Sequence, residues 1–290
     1  MKALIVVNPI SGGKDKSFAI DLLKNKLRKD IVAEFLFWNK QEDRLAIITR
    51  IKTGDEQLVI AAGGDGTINQ VAQAVVNSGK TLGIIPLGSG NGLARHLQIP
   101  LNVTKAIELI NDLTSKKIDT CTINGIFFMC TAGIGFDAHI GKLFAEAKTR
   151  GLKTYVKLIA QELFSYKPQE YILHSDGDTR KVSAFLITIA NASQYGNNAF
   201  VAPQAVIDDG KLDICVLKPF KWWNIPSLII RVFNKTFNTS KFVETFTTTK
   251  ISITRHTAGA IHFDGEPGFA EKEITCEVNH KSINVITGFI

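Results

Sequence analysis

Three glycine-rich stretches hold the most obvious chemistry: Asn8-Pro9-Ile10-Ser11-Gly12-Gly13, Gly63-Gly64-Asp65-Gly66-Thr67 and Leu87-Gly88-Ser89-Gly90-Asn91-Gly92. Glycine lets main-chain N–H groups close on a polyphosphate, and a following helix turns its positive end toward the same charge. Ser11, Thr67 and Ser89 add hydroxyl donors, and Lys14 adds a point charge. A single loop of this kind reads most simply as a tight turn. Three of them, each after an apolar strand, point to a phosphate cradle. None fits G-x-x-x-x-G-K-[ST], nor G-x-G-x-x-G with a ribose-binding acid at the right distance, which excludes a Walker-type ATPase and a standard dinucleotide site. Asp65 is the odd residue of its loop. A carboxylate beside phosphate repels unless it holds a metal ion or activates a nucleophile; the plainer reading is an N-cap for a helix starting at Thr67.

The elements that must carry these loops alternate. Leu4–Val7, Leu58–Ala62 and Leu82–Pro86 are short apolar runs of the kind buried in a parallel sheet. Between them, helical spacing places Phe18, Leu22, Leu23 and Leu27 on one face, then Leu45, Ile48 and Ile51, then Ile68, Val71, Ala72 and Val75. Ile31–Phe37 is a further apolar run. Strands separated by helices of this length predict right-handed βαβ units. Beyond Asp119 the pattern changes. Asn124-Gly125 and Asp176-Gly177 are hairpin signals. One helix, with Tyr155, Val156, Ile159 and Leu163 on its face, interrupts a series of short β segments. The expected architecture is an α/β N-terminal nucleotide domain with a parallel sheet over 1–119 and a C-terminal antiparallel β-sandwich domain over 120–282. The final strand, about 283–290, could pair back onto the first domain.

A net charge of +7 suits anionic partners, while 45% hydrophobic and 21% charged residues are ordinary globular composition. No basic tract with interleaved aromatics stands out, so no nucleic acid is expected. Cys121, Cys130, Cys215 and Cys276 form no C-x-x-C pair, which favours a reducing cytoplasm over a disulfide framework or zinc site. The apolar run ending at Asn8-Pro9 is too short for a signal peptide, and no stretch approaches the roughly 20 apolar residues of a spanning helix. His96, His139, His174, His256, His262 and His280 show no metal-ligand spacing and read as structural or surface residues.

With Phe263-Asp264-Gly265-Glu266-Pro267 as a fourth motif, the order and spacing resemble the catalytic-domain family of diacylglycerol kinases, which includes sphingosine kinases, ceramide kinases and soluble bacterial lipid kinases. Gly-Gly-Asp-Gly-Thr alone is shared with NAD kinases and phosphofructokinases; the four together are specific, and the resemblance spans essentially the whole chain. It implies a two-domain enzyme with its active site in the cleft, using ATP and Mg2+. Asn8, Pro9, Ile10, Ser11, Gly12, Gly63, Gly64, Asp65, Gly66, Thr67, Ile68, Asn69, Ser89, Gly90 and Asn91 would lie near the nucleotide. It also implies a structural Mg2+ at Asp208-Asp209-Gly210, ligated by the Asp209 side chain and the carbonyls of Val206 and Lys211; an ordinary β-turn is the alternative. Many bacterial relatives carry Asp after the Asn of the third motif, as part of a catalytic magnesium network. This chain has Gly92 there, followed by Leu93-Ala94-Arg95-His96 as in the sphingosine-kinase version, while Asp119 matches a second acidic position of that network.

Phosphoryl transfer to an alcohol needs a base, in-line placement and cations on the phosphates. Asp264 and Glu266, flanking Gly265, are the first and second choices for that base, facing the cradle across the cleft; Asp65 is the alternative. The expected function is ATP-dependent phosphorylation of a diacylglycerol-like or sphingoid-like lipid alcohol, within phospholipid metabolism. A kinase of a soluble acceptor such as NAD, or a nucleotide-binding regulator without catalysis, are the competing classes. The enzyme is expected in the cytoplasm, peripheral to the membrane, and a homodimer is compatible with the sequence. No acidic residue falls between Asp213 and Glu244, where Lys218, Lys221, Arg231, Lys235 and Lys241 do. Trp222 and Trp223 in that segment either meet a bilayer or pack into the sandwich core.

Overall fold

The computed structural model describes residues 1–9, 17–38, 43–147, 149 and 152–288. The chain forms two compact units, Met1–Asp119 with His280–Ile290, and Thr120–Asn279. In the first, β1 (Lys2–Val7), α1 (Ser17–Lys26), β2 (Val32–Phe37), α2 (Asp43–Thr53), β3 (Leu58–Gly63), α3 (Asp65–Val75) and β4 (Thr81–Pro86) alternate. The sheet order is β2-β1-β3-β4, all parallel. β1 and β3 bury nearly every residue because helices cover both faces, whereas β2, at the edge, alternates exposed and half-buried positions. Two short helices follow, α4 (Gly92–His96) and α5 (Val103–Asp112), the latter capped by the Asn102 side chain at the Lys105 N–H.

Two helix faces differ from the expected ones. α1 buries Ala19 and Leu23 and leaves Phe18 exposed; α2 buries Ile47 and Ile51 and leaves Leu45 exposed. In each case two overlapping apolar stripes fit a 3.6-residue period, and packing selects the one shifted by a residue or two.

β5 (Ser115–Ile123) leads into the second unit. There follow β6 (Ile126–Phe128), β7 (Thr131–Gly135), α6 (Phe136–Glu146), α7 (Leu152–Glu162), β8 (Gln169–Ser175), β9 (Asp178–Ala184), β10 (Leu186–Ala190) and β11 (Leu212–Leu217). Next are a 3₁₀ turn at Trp222–Asn224, α8 (Ile225–Phe233), β12 (Val243–Thr248), β13 (Lys250–Arg255), β14 (Gly259–Phe263), β15 (Glu266–Ala270) and β16 (Glu273–Ile286). One sheet of this unit runs β16-β13-β8-β9; the other runs β12-β11-β10-β7-β14-β15 and is antiparallel throughout. The far end of β16 belongs to the first unit and pairs parallel to β4, Asn284 opposite Thr81.

Asn124-Gly125 and Asp176-Gly177 turn their hairpins with positive φ at both residues, as a two-residue type I′ loop requires. Inside the sandwich, Ile134, Ile187, Ile214, Tyr171, Ile253 and Ile274 form one core. A second apolar cluster, with Phe136, Phe185, Cys215, Leu217 and Leu228, lies under the helices. β11 is buried at all six positions because alternate residues feed the two clusters: Ile214 and Val216 one, Cys215 and Leu217 the other. The sequence predicts one interrupting helix here and allows a second, short amphipathic one at 228–233; among the described residues the structure has three.

Candidate functional site

The glycine loops of the first unit are tied to one another by side chains. Asn8 continues from β1, bonding through its N–H to the Ala62 carbonyl (3.1 Å) and through Nδ2 to Thr67 Oγ1 (3.1 Å). Helix α3 begins at Asp65, two residues before the expected start, and its N-cap Gly64 supplies no side-chain bond. The N-cap residue therefore contributes no side-chain bond to the first turn of α3, and the amides at such a helix start are the kind that receive an anion. The Asp65 carboxylate turns to the next loop instead. Oδ2 accepts the Asn91 N–H (2.9 Å) and Oδ1 the Gly92 N–H (2.8 Å), so Asp65 caps the start of α4 from another segment of the chain.

Asn91 itself is left-handed (φ 51°), a conformation Asn tolerates better than most residues. Its amide folds back on the loop: Oδ1 accepts the Gly88 N–H (3.0 Å) and Nδ2 donates to the Gly88 carbonyl (2.9 Å). There is no room for side chains here. A Cβ at Gly88 would sit 2.8 Å from Gly64 Cα, and one at Gly90 would sit 3.0 Å from Asp65 Oδ2. A Cβ at Gly63 would meet Thr67 at 2.6 Å. Two of the three loops thus form one close-packed ledge of main chain beside a helix start whose N-cap is a glycine. Ser89 is exposed at its rim, and Pro9, Gly66 and Asn69 are half-buried around it. Ile68 does not join them: its side chain is buried in the core and its N–H is committed to the Gly64 carbonyl (3.0 Å). Ile10, Ser11 and Gly12, with Gly13 and Lys14, lie outside the described residues.

In the second unit, Asp264 and Gly265 have φ of 48° and 82° and make the two-residue turn between β14 and β15. The Asp264 carboxylate is fully used. Oδ2 accepts the Met129 N–H (2.7 Å), and Oδ1 accepts those of Cys130 (2.8 Å) and Thr131 (3.0 Å). A carboxylate holding three amides is stabilised in its charged form and makes a poor proton acceptor. Glu266, the first residue of β15, is exposed, and no hydrogen bond or ion pair engages it among the described residues. Of the two acids, Glu266 has the free lone pairs.

On the same hairpin, His262 Nε2 lies 2.9 Å from Asp137 Oδ2 in the first turn of α6, with both side chains nearly inaccessible. The Tyr195 hydroxyl donates to the same Asp137 oxygen (3.0 Å) and sits 2.6 Å from Thr188 Oγ1. One edge of Tyr195 is exposed, but its hydroxyl is enclosed, and that burial, with Asp137 beside it, pushes the phenol pKa well above its usual value. Gly133 makes room for the group: a Cβ there would meet both Asp137 Oδ2 and His262 Nε2 at 2.6 Å. The sequence reading takes His262 as an isolated histidine and does not single out Asp137 or Tyr195. Their separation in the chain leaves no spacing to find, and the one available signal is the Gly133-Ile134-Gly135-Phe136-Asp137 run, whose glycines have no turn to make.

Comparison with known proteins agrees with this anatomy. A family model for the diacylglycerol kinase catalytic domain matches residues 2–123, and one for the YegS C-terminal NAD kinase beta sandwich-like domain matches residues 130–287. The chain belongs to this family of lipid kinases. A Yersinia pestis protein named "Probable lipid kinase YegS-like" is 32% identical, the match covering 72% of each chain. An uncharacterized Synechocystis protein is 34% identical over 73% of this chain, which spans about half of that relative's length (52%). The crystal structure of a diacylglycerol kinase from Bacillus anthracis superposes with a TM-score of 0.79 over 99% of this chain and 97% of the other, at 22% identity, and so shares the fold.

The family's implied metal residues fall in two places. Asp209 makes an Asx turn, Oδ1 accepting the Lys211 N–H (2.9 Å) with Gly210 at φ 74°; its other oxygen is open among the described residues, and Val206 is exposed. One carboxylate oxygen plus main-chain carbonyls is an all-oxygen donor set that fits Mg2+. Asp119 is wholly buried in the first unit. Its Oδ1 accepts the Lys281 N–H (2.6 Å) and lies 2.9 Å from His280 Nδ1, anchoring the returning end of β16. Among the described residues no three His, Cys, Asp or Glu side chains gather as a metal cluster.

Proposed function

We propose that this lipid kinase transfers the γ-phosphoryl group of ATP to the hydroxyl of a diacylglycerol-like or sphingoid-like lipid, working in the cytoplasm at a membrane surface. The observation that carries the reading is the ledge formed by the 63–67 and 87–92 loops, where the Asp65 carboxylate fixes the Asn91 and Gly92 main chain beside the glycine-capped start of α3. On this reading the amides of Gly66 and Thr67, the Ser89 hydroxyl and Asn8 bind the phosphates. Mg2+, when bound with the nucleotide, would supply charge neutralisation for phosphoryl transfer; Asp209 with the Val206 and Lys211 carbonyls would hold a structural ion. The acceptor oxygen attacks the γ-phosphorus as its proton passes to the Glu266 carboxylate, and ADP leaves. Asp264 positions Glu266 by fixing the turn against residues 129–131.

The experiment is γ-labelled ATP with a panel of lipid alcohols in mixed micelles, with NAD and fructose 6-phosphate as controls. Label entering a lipid alcohol alone supports the reading. Label entering NAD alone would replace it with the soluble-acceptor reading, which the NAD kinase-like description of the C-terminal family model keeps in view. Tight nucleotide binding without transfer to any acceptor would favour a non-catalytic regulator.

A further inference from the structure

Both tryptophans of the adjacent pair are in solvent. Trp222 is 66% exposed and Trp223 55%, so neither packs into the sandwich core. They stand in the 3₁₀ turn that leads into α8, their rings 5.7 Å apart edge to face. Helix α8 is apolar on two sides. Leu228 and Val232 face inward and pack on the cluster beneath the helices. One turn around, Ile229, Ile230 and Phe233 are each more than half exposed. A surface helix ordinarily sets a polar face outward, and a contiguous apolar face held in water marks an interaction site.

The surrounding charge has one sign. Residues 214–243 contain no Asp or Glu. Lys218 is engaged by Glu244 (2.7 Å), but Lys221, Arg231, Lys235 and Lys241 have no acidic partner among the described residues. Lys221 lies over the Trp223 ring (4.9 Å), and Lys235 and Lys241 likewise sit over aromatic rings. Arg231 and Lys241 also line a pocket of about 300 Å³ with Ser227, Thr239 and Ser240. Indole rings with a polar N–H, aliphatic side chains and unpaired cations together match one surface, the headgroup boundary of an anionic bilayer.

We propose that Trp222, Trp223 and the outer face of α8 form a docking surface that inserts into the headgroup region of anionic membranes, with Lys221, Arg231, Lys235 and Lys241 bound to lipid phosphates. The lipid-kinase reading supplies the motive, because the acceptor would reside in that bilayer; the surface itself stands on exposure and charge. No helix of the described residues is long and apolar enough to cross a membrane, so this is contact with one leaflet.

The test is sedimentation with vesicles of phosphatidylglycerol and phosphatidylcholine, or of phosphatidylcholine alone, at low and high salt. Wild type should bind the anionic vesicles and weaken with salt. Trp222→Ala/Trp223→Ala should bind about tenfold more weakly on both vesicle types, and Lys221→Gln/Lys235→Gln should lose about fivefold per lysine on anionic vesicles only. Each variant's melting temperature and its phosphorylation of a monodisperse short-chain lipid alcohol report on folding and on the kinase reading separately. Equal vesicle binding by all three proteins overturns the proposal, as does a wild type that binds no vesicle but dimerises through this face by sedimentation equilibrium. Loss of docking with short-chain turnover intact leaves the kinase reading standing, whereas docking without phosphorylation of any lipid sinks that reading and keeps the surface.

Discussion

Asp264→Asn and Glu266→Gln should part company, because two acids one residue apart do different work. Asp264 accepts three N–H groups from residues whose side chains are almost wholly buried, Met129, Cys130 and Thr131. An asparagine can keep Oδ1 as acceptor for two of them but turns an NH2 toward the Met129 amide. One orphaned buried donor costs about 1–3 kcal/mol, which lowers the melting temperature by about 4–8 °C for a unit of this size if the cost is about 2 kcal/mol. Asp264→Ala orphans all three, on the order of 5 kcal/mol, a large part of the roughly 5–15 kcal/mol that holds a domain together. Glu266 is exposed and unbonded, so Glu266→Gln leaves the melting curve unchanged. If Glu266 takes the acceptor proton, that same change cuts turnover by about 10²–10⁴-fold with nucleotide affinity retained. The assays are differential scanning fluorimetry, turnover of γ-labelled ATP on micellar diacylglycerol, and titration with a non-hydrolysable ATP analogue. Near-normal turnover by Glu266→Gln refutes the assignment. A fully stable Asp264→Asn that has lost turnover would return the base to Asp264.

Asp65→Asn cannot accept both the Asn91 and Gly92 amides, so turnover should fall at least about 10²-fold; near-normal turnover in a folded protein would end its role at the cradle. Gly88→Ala forces its Cβ against the Gly64 main chain at 2.8 Å and should weaken ATP-analogue binding at least about tenfold by calorimetry, with unchanged affinity counting against the ledge. Burial lowers the His96 pKa to about 4 from 6.5, so the unfolded chain binds its proton first as pH falls. Stability from this group is therefore complete above pH 6.5 and declines toward pH 4, by about 3 kcal/mol in all. His96→Gln should flatten that part of the stability–pH curve measured by urea unfolding, and an unaltered slope would assign acid sensitivity elsewhere.

What the sequence made legible follows from how local each signal is. β1, β3 and β4 read as buried parallel strands because strands covered on both faces need no alternation, and Asn124-Gly125 and Asp176-Gly177 announce their turns because few other pairs accept two left-handed residues. Asp264-Gly265 has that same turn chemistry, so its acid serves a turn whether or not it also serves catalysis. Helix α6 was hidden because β7 runs into it at Gly135 (φ 100°) with no polar loop between them. The Asp137–His262 pair joins positions 125 residues apart, a distance no spacing rule reaches. The tryptophan pair was undecidable from sequence, since an indole is as much at home in a core as at an interface.

Three of the family's acids, Asp65, Asp119 and Asp264, share a property that changes how they should be read. Asp65 holds Asn91 and Gly92, Asp119 holds Lys281, and Asp264 holds residues 129–131, each through main-chain N–H groups. In every case a charged side chain far away in sequence fixes a loop or strand end, and charge-assisted bonds of this kind are the stronger ones. Such loops are set before any ligand arrives, which is the condition for amides to stabilise transferring charge without reorganising. An acid in such a motif can thus be indispensable without touching a phosphate, and loss of activity on its removal does not distinguish the two roles. Stability does. An acid that organises main chain should shift the melting temperature along with turnover, and an acid that exchanges protons should shift turnover alone; Glu266 is the motif acid that the structure leaves free to do the second.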